Sequence, residues 1–235
     1  MSHVRLLQLL HLADSALPIG ATAHSFGLET LAENGELSPE QLIHFVRGYL
    51  EEGGSLEALY CRRARRLLTS AECASSTVSR DAWLALNRQL SARKTARESR
   101  AASSTLGTRL LRLVIDLEPE VGLLPLLQAS EQTGTEVHYA VAFGAAGGAL
   151  QLQAYDTVLA LLRQTVAGML AACQKLLPLG QSWAGRIQWQ IQEAIVAAAT
   201  KSETPGDDHE PDAFSMLLEV GSMRHPYLPV RLFIS

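Results

Sequence analysis

Apolar residues recur at helical spacing along most of this chain, between breaks made by proline and glycine. One clear run is Leu42, Phe45, Val46, Tyr49 and Leu50, a spacing that places all five on one face of a helix. Leu and Ala dominate a composition that is 47% hydrophobic but only 6% aromatic, and both residues favour helices. We therefore predict an all-α, single-domain bundle of about ten helices with an extended, proline-containing C-terminal tail.

Turn and cap residues set the expected helix boundaries. Ser38-Pro39 predicts a helix start, with Ser as N-cap and Pro at the first helical position. Gly53-Gly54 predicts the end of that helix, and Ser55 begins the next one. The other helical stretches are expected at about 4–13, 23–34, 81–115, 122–134, 136–148, 155–176, 183–200 and 213–221.

The chain is expected to divide into three parts. Residues 1–201 form the helical domain, 202–212 an acidic flexible loop, and 213–235 a short helix followed by a partner-binding tail. Pro226 and Pro229 exclude a regular helix from the tail, yet the tail is rich in apolar residues. Such a segment either docks on its own domain or waits for a partner.

Charge and cysteine usage favour a cytoplasmic protein. The net charge of −4 and the pI of about 6.0 give no general reason to expect binding to nucleic acid or to an anionic membrane. Cys61, Cys73 and Cys173 have no paired spacing, which indicates reduced thiols. The uncharged stretch 137–155 contains histidine, glutamine and several glycines, so we expect a buried core helix there and no membrane span.

Four arginines between positions 62 and 66 suggest an alternative function. Arg62, Arg63, Arg65 and Arg66 could bind phosphate, as part of a helical nucleic-acid-binding or regulatory module. The simpler expectation is a solvated helix face close to a helix C-terminus, where the helix dipole favours cations.

A second alternative is a hydrolase that uses Ser25. Ala23 to Gly27 resembles a nucleophile elbow, which requires a preceding strand and a later acid and histidine. The residues before Ser25 are a leucine-rich helical run, and they come too early for a doubly wound sheet. We therefore regard this function as the weakest of the three.

No local motif predicts catalysis, a metal site or a cofactor. The chain has no phosphate-binding loop, no dinucleotide fingerprint and no paired cysteines, and its seven histidines never occur four residues apart. Asp207, Asp208, His209 and Glu210 are expected to be a hydrated acidic loop, with loose binding of a divalent ion as the alternative. We predict that the protein is not an enzyme.

A polar cluster precedes a series of small residues in the middle of the chain. Lys94, Arg97, Glu98 and Arg100 concentrate charge on or near one helix face. The small residues that follow, up to Gly107, allow close approach of a neighbouring helix. The cluster is either a structural polar core that pairs internally or a functional surface, and the pattern leaves both open.

Several separated segments together resemble the UreF family of urease accessory proteins. The resemblance extends from about Leu6 to Ser235, and no segment is specific alone. In order, the segments are Leu17-Pro18-Ile19-Gly20, His24-Ser25-Phe26-Gly27-Leu28-Glu29, Lys94 with Arg97-Glu98-Ser99-Arg100 and Gly107, His138 with the following Ala-rich helix, Leu177-Pro178-Leu179-Gly180-Gln181, and Ser222-Met223-Arg224-His225 with Arg231-Leu232-Phe233 and Ser235.

The chain departs from the family pattern at two places. Thr22-Ala23-His24 stands where the family often has an aromatic-Ser-aromatic step, and His225-Pro226-Tyr227-Leu228 replaces the usual His-Glu-Thr-Gln. The second change removes an acid and two polar groups. Tail contacts with partners are therefore expected to be more apolar in this chain.

The resemblance implies an all-α, homodimeric adaptor without catalytic residues. It implies assembly with UreD (UreH in some lineages) and the GTPase UreG in a metallochaperone complex that inserts nickel into apo-urease. The adaptor would recruit and gate the GTPase, and nickel would be handled by the complex and not by a motif in this chain. The residues implied for partner binding are His24, Ser25, Glu29, Arg224, His225, Tyr227, Arg231 and Phe233.

Overall fold

Helices and short connections make up the computed structural model, which describes residues 2–68, 76–203 and 215–235. No strand occurs within these ranges, so the predicted all-α class is confirmed. The α-helices are α1 His3–Leu12, α2 Leu28–Glu33, α3 Leu42–Tyr49, α4 Ser55–Leu67, α5 Thr77–Arg93, α6 Arg97–Leu117, α7 Leu124–Thr133, α8 Tyr139–Ala149, α9 Ala154–Leu176, α10 Gln181–Gln190, α11 Gln192–Lys201 and α12 Met216–Arg224.

Helix α8 lies at the centre of the bundle. Every residue from Ala140 to Gly148 is buried, as expected for a helix that is apolar all round. Its strongest packing is against α4 and then α6. A Cβ on Gly144 would collide with the backbone of Cys61 in α4. The small residues of α8 therefore let neighbouring backbones approach more closely than larger side chains would permit.

The expected helix end at Gly53-Gly54 is wrong. A π-helical turn, Leu50–Gly54, joins α3 to α4 without interruption. The backbone N–H of Gly53 donates to Ser215 Oγ at 2.9 Å, and a Cβ at this position would collide with that hydroxyl. Glycine is required here for a close contact with the start of α12, and not for a helix end.

The stretch 81–115 contains two helices. Helix α5 ends before Lys94, which has extended backbone angles, and α6 begins after Ala96. The interpretation of Lys94–Arg100 as one helical segment is therefore wrong. The prediction of close approach holds at Gly107, where a Cβ would collide with the backbone of Val137.

Helix α9 is long and apolar enough to cross a membrane by length and composition alone. However, 61% of its most apolar window is buried inside the bundle, as is typical of a core helix. The predicted acidic loop 202–212 lies almost entirely outside the described residues, as do Cys73 and the group Asp207, Asp208, His209 and Glu210.

Candidate functional site

A tight turn before α2 forms the first part of the site. Gly20 and Gly27 have φ of 82° and 89°, and Phe26 has φ of 52°. Only a short 3₁₀ turn, Ala21–Ala23, lies between the two glycines, so the helix predicted from Ala23 begins instead at Leu28. The non-helical backbone of residues 24–27 leaves N–H groups that need partners from elsewhere in the chain.

The C-terminal tail supplies those partners. The main-chain oxygen of Ser235 accepts from the N–H of Ser25 at 2.5 Å and from that of Phe26 at 3.2 Å. The N–H of Ile234 donates to the carbonyl of Ala23 at 2.9 Å, and His24 Nδ1 lies 2.8 Å from Ser235 Oγ. Of the two fates expected for the tail, the structure therefore has the first: the tail is docked on its own domain.

Two glutamates and a histidine fasten the base of the tail. His225 is fully buried, with Nδ1 2.7 Å from Glu98 Oε2 and Nε2 2.8 Å from Glu29 Oε2. Glu29 is buried as well, and its carboxylate accepts from the N–H of Leu232 at 2.5 Å and from that of Phe233 at 3.2 Å. We call Glu29, Glu98 and His225 the Glu–His–Glu cluster. It joins α2, α6 and the tail.

Helix α12 holds the cluster against the rest of the bundle. Gly221 packs on Gly27, because a Cβ on Gly221 would lie 2.7 Å from the Gly27 carbonyl oxygen. On the same helix, Glu219 Oε2 accepts from the N–H of Ala96 at 2.6 Å and from Thr95 Oγ1 at 2.7 Å. A carboxylate at the start of α6 also interacts favourably with the dipole of that helix.

A cavity of about 130 Å³ lies beneath the turn and α12. Leu28, Leu106 and Met169 are among its apolar lining residues, together with a mostly buried ion pair between Lys94 Nζ and Glu57 Oε1 at 2.8 Å. Tyr49 donates to Glu57 at 3.1 Å, and burial, followed by the charge of Glu57, raises the pKa of Tyr49. Within the described ranges, no three His, Cys, Asp or Glu side chains are grouped to hold a metal ion.

The predicted partner-binding residues fall into two groups. His24, Ser25, Glu29, His225 and Phe233 are buried. Among these, Ser25 uses its backbone N–H, and its hydroxyl has no hydrogen-bond partner in the described structure. By contrast, Tyr227 is 87% exposed, and the side chains of Arg224 and Arg231 are 58% and 46% exposed. Only this second group faces solvent.

The predicted polar core is dispersed around the start of α6. Lys94 pairs with Glu57, and Glu98 belongs to the Glu–His–Glu cluster. Arg100 lies 3.6 Å from Glu136 and donates to the Lys94 carbonyl at 3.2 Å, whereas Arg97 is exposed. The four residues therefore do not form one internally paired set.

Sequence reasoning missed the alternation along the tail. Val230, Leu232 and Ile234 are 74%, 69% and 69% exposed, while Phe233 is 6% exposed. Exposure alternates from Leu232 to Ser235, which is the period of an extended chain, whereas Val230 and Arg231 are both exposed. Glu219 was missed too, although it is an acid within an otherwise apolar run, Met216 to Val220.

The arginine cluster forms only in part the solvated face that the sequence suggested, since Arg66 is exposed and Arg63 is half-buried. Arg62 is buried, and it donates to Ser202 Oγ at 2.8 Å and to the Ala199 carbonyl at 3.4 Å. Arg65 donates to the Leu152 carbonyl at 2.7 Å. These two guanidinium groups hold the end of α11 and the turn before α9, so neither is available to a phosphate.

A hydrolytic site at Ser25 has no structural support. Residues 2–24 consist of α1 and a turn, and no strand lies among them. Ser25 is 1% exposed, and its neighbour His24 contacts Ser235 through Nδ1. The nucleophile and base geometry that an activated serine requires is absent from the described residues.

Comparison with known proteins identifies relatives along the whole chain. A sequence model of the UreF family matches residues 37–192. The chain is 34% identical to the urease accessory protein UreF of Nostoc sp. over 97% of this chain and 95% of that protein. It is 32% identical to UreF of Geobacillus kaustophilus over all of both chains. UreF of Actinobacillus pleuropneumoniae is 31% identical over 97% of each.

Proposed function

The chain belongs to the UreF family of urease accessory proteins, and on that premise we propose that it is an adaptor in urease maturation. It joins UreD (UreH) to the GTPase UreG, and this complex inserts nickel into apo-urease. The adaptor recruits the GTPase and gates its turnover, and it contributes no catalytic group of its own. Nickel is the cargo of the complex and not a resident cofactor of this chain.

One observation carries the proposal: the docked tail presents an ordered apolar ridge to solvent. We define this ridge as Tyr227, Val230, Leu232 and Ile234, each at least 69% exposed. The backbone beneath it is held by Glu29 and by the turn before α2. An exposed apolar strip on a fixed backbone is typical of a binding surface, because little conformational entropy is lost when a partner covers it.

Charged groups border the ridge and orient the partner that binds there. Arg224 Nη1 lies 3.6 Å from Glu36, and Arg231 Nη1 lies 3.7 Å from Glu98. Because these side chains are 58% and 46% exposed, their guanidinium N–H groups are accessible to partner carboxylates, which a planar guanidinium binds in a bidentate manner, or to terminal carbonyls. The buried residues of the predicted set, among them His24 and His225, act by holding the tail in place.

We also propose that the protein is a homodimer and that it acts in the cytoplasm. The cytoplasmic setting is supported by buried cysteines without partners at positions 61 and 173. Burial raises the pKa of Cys173 to about 12, so this thiol is unreactive at neutral pH.

The proposal is tested by changing the ridge without disturbing tail docking. In the double variant Leu232→Ser and Ile234→Ser, both backbone N–H groups remain, and only exposed side chains change. We expect capture of purified UreD (UreH) or UreG to fall by at least about tenfold, since several apolar contacts are lost. Nickel-dependent urease activation in cells that lack their own copy should fall with it.

The matched control is Val78→Ser, which removes an equally exposed apolar side chain, 80% exposed, from α5. It should leave capture and activation unchanged. The melting temperature of all these variants should stay within a few degrees of that of the unaltered chain. Capture that survives the double variant would exclude the ridge as the binding surface.

A further inference from the structure

The cavity beneath the turn before α2 reaches the protein surface at helix α9. Gly168 of α9 lines this cavity and is exposed. In the described structure, a Cβ on Gly168 would meet no atom within 4 Å, so close packing does not require glycine at this position. A glycine inside a helix lowers the stability of that helix. Here the missing side chain leaves the cavity open on one side.

The size of the cavity suits a molecule with a single ring. Its volume is about 130 Å³, and a cavity of about 150 Å³ can hold one benzene molecule. The space therefore accommodates about six or seven non-hydrogen atoms. Apolar side chains from the turn, α4, α6, α9 and α12 form much of the wall, namely Phe26, Leu56, Leu106, Met169 and Leu218. Such a wall favours an apolar ligand, because binding removes apolar surface from water.

The charged groups in the wall cancel one another. Among the described lining residues, there are two charged side chains of each sign: Arg93, Lys94, Glu57 and Glu219. The pKa of His24, which also lines the cavity, is lowered by burial and then by the charge of Arg109, so its ring is neutral at pH 7. The wall therefore favours a neutral ligand, since an ion would lose its hydration without gaining a counter-ion.

One buried hydroxyl group in the wall lacks a partner. Ser25 lines the cavity and is 1% exposed, and its Oγ has no hydrogen-bond partner in the described structure. A serine hydroxyl can donate one hydrogen bond and accept two, and leaving it unpaired in a buried site is costly. By contrast, the Tyr139 hydroxyl in the same wall already donates to Gln164. Ser25 is therefore the group that can anchor a polar atom of the ligand.

We propose that this cavity binds a small neutral molecule with an apolar body of about six carbon atoms and one hydroxyl group, the chemistry of a simple phenol. The apolar body packs against the leucine and methionine side chains, and the hydroxyl group hydrogen-bonds with Ser25 Oγ. The ligand enters beside Gly168. Since none of the lining residues belongs to the ridge, the proposal does not depend on the adaptor function.

Three probes of similar size test the site: phenol, benzene and benzoate. Their binding to the full chain is measured at pH 7 by saturation-transfer NMR titration. We expect phenol to bind with a Kd on the order of 0.1–1 mM, given the few atoms that it offers. Benzene should bind about three- to tenfold more weakly, since it cannot form the hydrogen bond. Benzoate should show no measurable binding, because its charge finds no counter-ion in the wall.

Ser25→Ala separates the hydrogen bond from the shape of the cavity. The substitution keeps the backbone N–H that holds the tail and removes only the unpaired hydroxyl. It should weaken phenol binding about three- to tenfold. Benzene binding should stay unchanged, because benzene makes no use of that hydroxyl.

Gly168→Leu tests the opening. The added side chain takes up space at the mouth of the cavity, so phenol binding should fall by at least about tenfold. The matched control is Gly185→Leu, an exposed glycine of α10 whose Cβ would also meet nothing within 4 Å, and which does not line the cavity. This control should bind phenol as the unaltered chain does. Melting temperatures of all three variants should stay within a few degrees of the unaltered value, which excludes unfolding as the cause.

Several results would overturn the inference. The unaltered chain could show no saturable binding of phenol, in which case the cavity holds only water. Benzoate could bind as tightly as phenol, or Ser25→Ala could leave phenol binding unchanged, and either result would contradict the proposed ligand chemistry. An equal phenol affinity in Gly168→Leu and Gly185→Leu would show that phenol binds elsewhere on the protein.

Discussion

At the scale of single residues, His138 makes the stability of the protein depend on pH. Its side chain is fully buried, with Nδ1 3.2 Å from Ser103 Oγ. Burial, followed by the charges of Lys94 and Arg100, lowers the pKa of His138 from 6.5 to about 3. The folded chain therefore holds this imidazole neutral through a range in which the unfolded chain protonates it.

The direction of the change in stability with pH follows from the pKa of His138 in the unfolded chain, 6.5, and in the folded chain, about 3. The contribution of His138 to stability is fully present above pH 6.5 and is lost as the pH falls toward about 3. Between pH 7 and pH 5, the free energy of unfolding should fall by roughly 2 kcal/mol through this residue alone. Urea denaturation at the two pH values measures the loss.

His138→Asn should remove most of that pH dependence, because the amide can still reach Ser103 but does not titrate in this range. His44→Asn changes an exposed histidine in the same manner and should leave the pH dependence intact. An unaltered slope in His138→Asn would assign the acid sensitivity to other groups.

Residues could be located from the sequence where a local turn or the family resemblance pointed to them, and not where tertiary packing alone selects the partner. The motif around His24 to Glu29 and the tail residues were singled out together, and the structure brings them into contact. The Lys94–Glu57 pair and the Glu219 cap of α6 join positions 37 and 123 residues apart. Nothing in the local pattern specifies such partners, since tertiary packing alone selects them.

At the scale of elements, the contact between α12 and the turn before α2 depends on Gly27. Its φ is 89°, and a Cβ there would lie 2.5 Å from the Leu218 carbonyl oxygen and 2.7 Å from the Ser222 N–H nitrogen. Gly27→Ala should therefore lower the free energy of unfolding by about 2–4 kcal/mol, through backbone strain and displacement of α12. Chemical denaturation followed by circular dichroism measures this loss.

Gly35→Ala separates the two causes. Gly35 also has positive φ, 71°, but a Cβ there meets nothing within 4 Å. This variant should show the strain alone, about 1 kcal/mol. Equal losses in both variants would mean that the close approach of α12 contributes nothing, and that the turn matters only for its backbone conformation.

Helix existence was easier to predict than helix ends. The apolar stripes identified the helical stretches because burial of one face requires that spacing. The ends at Gly53-Gly54 and around Lys94 were missed for a different reason. Their backbones are set by contacts with Ser215 and Glu219 from the start and middle of α12, more than 100 residues later in the chain.

At the scale of the whole molecule, the two ends of the chain close the fold together. The tail pairs with α2 and with the turn before it across sequence separations of 196 to 211 residues. Meanwhile α8 packs most closely against α4 and then α6, and from the end of the tail Phe233 joins the buried apolar core. The architecture thus separates a helical core, which supplies stability, from a closure at its edge that fixes the ridge.

Deletion of residues 228–235 tests this separation. Phe233 is the tail side chain that buries a large apolar surface, at 6% exposure, so its loss and that of the backbone contacts should cost about 2–4 kcal/mol. For a chain of this size, that corresponds to a fall of roughly 5–15 °C in the melting temperature. The far-UV circular dichroism should be nearly unchanged, because the deleted segment lies beyond α12.

The Leu232→Ser, Ile234→Ser variant is the matched comparison. It should lose partner capture at full stability, whereas the deletion should lose both capture and stability. A large drop in helical signal after deletion would show that the tail is part of the folding core, and the ridge could then no longer be treated as a surface that the bundle merely displays.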